Sequence, residues 1–123
     1  MGDAWRDLAA QLDGDVQAVR RFAVSYLGQL DDRLERLGRT LADGDVEAAR
    51  STALTLHCTS AMIGAGQLAR FAGEVDAHLV ERNLEAARTT LPLVMWAGDL
   101  ARKECYVQLG APAWRSQAGG APA

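Results

Sequence analysis

Few side chains in this chain could carry covalent chemistry. The only histidines are His57 and His78, and the only cysteines are Cys58 and Cys105. His57 and Cys58 fall in one stretch, Ala53-Leu54-Thr55-Leu56-His57-Cys58-Thr59-Ser60-Ala61-Met62-Ile63-Gly64-Ala65. An imidazole with an ordinary pKa of about 6.5 is partly neutral at physiological pH and can act as a nucleophile. Adjacent residues diverge around a helix, so His57 and Cys58 do not read as a Cys-His nucleophile pair. Cys58 reads instead as a small apolar filler. His78, with Asp76 and Glu81 nearby, lacks metal-ligand spacing and reads as a surface histidine. Asp31, Asp32 and Glu35 interleave with Arg33, Arg36 and Arg39. That mixture of signs predicts a solvated helix face rather than an acid/base pair. The two isolated cysteines match no metal motif and are too few for a disulfide framework. They read as free thiols in a reducing cytosol. With no Gly-rich phosphate loop, no Ser/His/Asp set and no metal cluster in the pattern, no cofactor and no metal are expected.

The elements that must position these residues are helices. Three prolines occur, Pro92, Pro112 and Pro122, and no alternating Val/Ile/Thr-rich run suggests a strand. A first helix is predicted over about Asp3 to Leu12, with Asp3 as N-cap and Trp5, Leu8, Ala9 and Leu12 on one face. Asp13-Gly14-Asp15 breaks it. A second runs from about Asp15 to Leu41, with Val19, Phe22, Ala23, Tyr26, Leu30, Leu34, Leu37 and Leu41 stepping by three and four. Asp43-Gly44-Asp45 closes it in the same manner. A third is predicted from Asp45 to about His78 or Leu79. Val46, Ala49, Ala53, Leu56, Ser60, Ile63, Leu68, Phe71, Val75 and Leu79 trace its core side. Gly64 and Gly66 mark a kink or a close approach in its middle. A fourth runs from about Leu84 to Val107, and Pro92 should bend it or divide it at Thr90-Leu91. The expected architecture is an all-α, up-down four-helix bundle over residues 1–108, led by a short helix. A flexible tail follows over 109–123, in which only Trp114 is a candidate to dock.

The bulk numbers bound the function. A length of 123 residues predicts one domain. Hydrophobic residues make up 49% and charged residues 24%, an ordinary globular balance. The net charge of -3, with Lys103 the single lysine, gives no electrostatic footprint for nucleic acid. No apolar run reaches the roughly 18 residues needed to span a membrane. Met1-Gly2-Asp3-Ala4-Trp5-Arg6 lacks the order of a signal peptide, so the cytoplasm is the expected location.

The order of elements resembles a histidine-containing phosphotransfer (HPt) domain, from about Asp13 to Leu100. The family favours a gly-asp-(leu/val)-glu-ala turn, which here is Gly44-Asp45-Val46-Glu47-Ala48. It then has His-Thr-Leu-Lys-Gly-Ser-(Ala/Ser)-x-x-(Ile/Leu)-Gly-Ala-x-x-Leu. Thr55, Leu56, Ser60, Ile63, Gly64, Ala65 and Leu68 match that pattern in register. The resemblance implies a helical bundle whose partner is a receiver domain of a response regulator or of a hybrid histidine kinase. It also implies a monomer, while the charge and hydropathy above give no nucleic-acid partner and no membrane. The departure falls at the reacting residue. Leu54 occupies the phosphoacceptor position, His57 the following lysine position and Cys58 the glycine position.

Two readings of His57 follow. As a displaced phosphoacceptor it would sit one turn after Leu54, about 4.5 Å further along the axis. In-line transfer tolerates little misplacement, so the whole partner would have to dock one turn on. As a structural residue it is a solvated polar side chain at the old lysine position. Leu54 is either exposed, forming an apolar strip with Cys58 and Ala61 where receivers dock, or rotated into the core. The favoured expectation is a pseudo-phosphotransfer protein that binds a receiver or kinase domain through Leu54, His57, Cys58 and Ala61 without carrying phosphate. The alternatives are active phosphotransfer through His57, and a helical interaction domain outside phosphorelays.

Overall fold

A computed structural model describes residues 1–111, and all of their regular structure is helical. The elements are α1 (Gly2–Gln11), α2 (Val16–Asp43), α3 (Val46–Ile63), α4 (Gly66–Val80) and α5 (Leu84–Gly110). Helices α2 to α5 form a four-membered ring in which each packs on the next and α5 closes on α2. The short α1 lies across α2 and α3. This is the expected all-α bundle with its short leading helix. The tail predicted over 109–123 starts too early, since Leu109 and Gly110 belong to the last turn of α5, and residues 112–123, with Trp114, lie outside the described residues.

The caps follow from the sequence at three of the helix starts. Asp15, Asp45 and Asn83 each accept the backbone N–H three residues on with a side-chain oxygen, at 3.0, 3.2 and 3.0 Å. At α1 the expectation fails. The N-cap is Met1, and Asp3 lies within the first turn, paired with Arg6. Leu12 then falls at the C-cap rather than on the buried face, and is exposed.

The predicted third helix is two helices. Gly64 adopts φ +84 and terminates α3, its N–H and that of Ala65 bonding back to Ala61 and Ser60. A side chain at Gly64 would place its Cβ 2.7 Å from Cβ of Ala4, so α1 also needs this glycine. Trp5 seals the break: it is fully buried, and its indole N–H donates to the Ile63 carbonyl at 2.8 Å. That bond satisfies one of the carbonyls that the end of α3 leaves without a helical partner.

The predicted division at Pro92 does not occur, and α5 is continuous through it to Gly110. Proline lacks the N–H that would bond the carbonyl of Arg88. Both residues are exposed, so water can take that carbonyl, and the helix keeps its course.

The core is the set of helical stripes turned inward. Trp5, Val19, Leu30, Leu37, Leu41, Leu56, Ile63, Leu68, Val75 and Val94 are its large, fully buried members. Besides the Trp5 bond, a buried side-chain link joins α2 to α3 through the Tyr26 and Ser60 hydroxyls at 2.9 Å. Among the described residues three arginines tie α5 to α2, the first being Arg20, whose guanidinium donates to the carbonyl of Leu109 at 3.4 Å. Arg88 donates to the carbonyl of Leu41 at 2.9 Å and to that of Ala42 at 3.3 Å, capping the end of α2. Arg102 pairs with Asp31 and with Asp99, so Asp31 forms a cross-helix pair instead of standing alone on a solvated face.

Candidate functional site

Helix α3 has two faces. Ala49, Thr52, Ala53, Leu56, Ser60 and Ile63 are buried. Leu54, Cys58, Ala61 and Met62 lie on the other side and are exposed. The steps from 54 to 58 to 61 are four and three, so these side chains stack along one strip. Leu54 is 42% exposed and Met62 47% exposed. The choice left open by the sequence is thereby resolved: Leu54 is on the surface, outside the core. Cys58, read as an apolar filler, is exposed as well, whereas Cys105 is the buried cysteine. Burial pushes the Cys105 thiol up to about 11.

His57 leaves the strip on the α4 side. It is half-buried, and its Nδ1 lies 2.7 Å from the carbonyl oxygen of Ala69. A carbonyl can only accept, so Nδ1 carries the proton and donates it. In the neutral ring the lone pair is then on Nε2. The ring lies against Gly73, where an added Cβ would meet Nδ1 at 3.0 Å. The expectation of a solvated polar side chain is therefore corrected: His57 is a clamp between α3 and α4. Sequence reasoning missed its two partners, Ala69 and Gly73. Their signal was a pair of small residues four apart on α4, which gives a ring room to approach the backbone.

Leu54 and His57 thus project from neighbouring turns in different directions and into different surroundings. The structure brings Leu54, Cys58 and Ala61 together and sets His57 apart at their edge. Among the described residues, no three His, Cys, Asp or Glu side chains are grouped to hold a metal ion. No helix among them is long and apolar enough to cross a membrane.

A four-helix ring with one half-apolar outward helix face has the build of a helical phosphotransfer bundle. Residues 21–105 match the Hpt domain, more than half of the chain, and the chain belongs to that family. It is accordingly a phosphotransfer-type module of two-component phosphorelays, a family that works with receiver domains. The match begins inside α2 and ends inside α5, so α1 lies outside it. No curated protein and no solved structure matches the chain.

Proposed function

We propose that this protein is a pseudo-phosphotransfer module, which docks a receiver domain on α3 without accepting a phosphoryl group from it. The observation that carries the reading is Leu54. It stands exposed at the position where the family's motif has its histidine, and it offers an apolar side chain with no nucleophilic atom. The strip of Leu54, Cys58 and Ala61, with His57 at its edge, would cover the receiver's active face. The mechanism is occupancy: the bound receiver is withheld from competing phosphotransfer partners.

A second reading, relay through His57, rests on a specific observation. The bond from Nδ1 to Ala69 leaves Nε2 with the lone pair and with no hydrogen-bond partner among the described residues. Against it stand the half-burial of the ring and its displacement from position 54 by a helical turn, about 4.5 Å along the axis.

The deciding experiment is phosphotransfer from a panel of phosphorylated receiver domains to wild type, His57→Ala and Leu54→His. We expect wild type to stay unlabelled and Leu54→His to take acid-labile label. Label on wild type that vanishes in His57→Ala would assign the relay to His57 and overturn the first reading.

A further inference from the structure

The docking strip does not end at α3. Ala61 and Met62 also form one wall of a groove of about 220 Å³ whose other wall is α1, through Ala4, Asp7, Leu8 and Gln11. The groove is therefore continuous with the strip at Ala61. Ala4, Leu8, Ala61 and Met62 give it apolar walls, and the Gln11 amide lines it beside them. Asp7 is the one formally charged residue lining it. Asp7 is exposed, and no ion pair or hydrogen bond to another described side chain neutralises it. Its neighbour Asp3 differs in this respect, being paired with Arg6. A trough with apolar walls, one amide and a single unpaired carboxylate at its rim suits a side chain with a long aliphatic stem and a cationic head.

From this geometry we infer that the α1–α3 groove is a second, specificity-setting part of the receiver-docking surface, and that it takes a lysine or arginine side chain of the receiver. The stem lies on Met62 and Leu8, and the head meets the Asp7 carboxylate. The inference rests on the docking reading above and deepens it. Because α1 lies outside the stretch that matches the family, the groove would let this chain choose among receivers that share the same active face.

The test measures affinity of the full-length protein for purified receiver domains from the same genome, using the tightest binder as probe. Asp7→Lys is expected to weaken binding by roughly tenfold or more, and Met62→Ala by several-fold. Asp7→Asn is expected to make the affinity less sensitive to added salt than it is in wild type, because one interfacial charge pair is gone. Position 7 is exposed, so circular dichroism should show the helices intact in each Asp7 variant. Changing the contacting receiver Lys or Arg to Glu should restore binding to Asp7→Lys. If Leu54→Asp abolishes binding while Asp7→Lys and Asp7→Asn bind as wild type does, the groove inference is overturned and the docking reading stands. If no receiver binds wild type, the docking reading fails and the groove inference falls with it.

Discussion

The imidazole of His57 donates through Nδ1 to the carbonyl oxygen of Ala69 at 2.7 Å, fastening α3 to α4 at mid-length. This bond makes the chain's one histidine on α3 part of the scaffold, and it bears directly on how variants of this region behave.

Removing the clamp should cost stability. His57→Ala loses the bond and the packing of the ring on Gly73, and we expect a loss of about 1–2 kcal/mol. Gly73→Ala presses a methyl onto the same ring and should cost about 1 kcal/mol. Urea unfolding of both variants checks this. An unchanged midpoint for His57→Ala would mean that the bond contributes nothing.

Leu54 should behave in the opposite way. Because it is exposed, Leu54→Asp and Leu54→His should change stability by less than about 0.5 kcal/mol. Receiver binding should nevertheless be lost in Leu54→Asp. Thermal melts run beside binding titrations separate the two effects, and a melt as depressed as the binding would put Leu54 in the core after all.

Gly64 is closed to substitution on two grounds. Its φ of +84 lies in the left-handed region, and an added Cβ would lie 2.7 Å from the Ala4 side chain. Gly64→Ala should destabilise the protein by about 1–3 kcal/mol and loosen α1. Fluorescence of Trp5 should shift toward that of solvated indole before the bulk of the helix melts.

The two thiols should differ in reactivity. At neutral pH an aromatic disulfide reagent should modify Cys58 in the folded protein and reach Cys105 only on unfolding. The folded state holds the Cys105 proton up to about pH 11, against 9.0 for an ordinary thiol. Between these values the unfolded chain binds fewer protons than the folded one. Stability should therefore be undiminished below about pH 9 and fall as pH rises toward 11. Burial also raises the Tyr26 hydroxyl above its usual value, which acts in the same direction above pH 10. Urea titrations across this alkaline range test the sign, and a stability that rises there would contradict it.

Much of the bundle was legible in the sequence because amphipathic stripes report burial directly. Tyr26, Leu30, Leu34 and Leu37 on α2 lie where a step of three and four puts them. The break between α3 and α4 was less legible. The apolar stripe runs on from Ile63 to Leu68 in the sequence, yet that step of five slips the helical phase, and Gly64 sits inside it. A glycine near a helix middle signals either a weak spot or a left-handed stop, and only the packing of α1 over the end of α3 decides which. Pro92 was over-read for a related reason. Its effect on a helix depends on whether water can reach the orphaned carbonyl, which sequence periodicity states only indirectly. At the candidate site, the exposure of Leu54 could not be separated from burial by pattern alone, since a leucine fits either side of a small-residue helix. The partners of His57 lay twelve and sixteen residues downstream, beyond the reach of local spacing.

The separation of the two faces of α3 has an evolutionary consequence. The α3 residues that hold the bundle together are Ala49, Thr52, Ala53, Leu56, Ser60 and Ile63 on the buried face and His57 at its edge, and position 54 is not among them. Some leucine codons differ from a histidine codon by a single base. On the pseudo-phosphotransfer reading proposed above, a lineage crosses between carrying and withholding phosphate in one mutational step, with selection on folding blind to the change and selection on signalling alone deciding which allele persists.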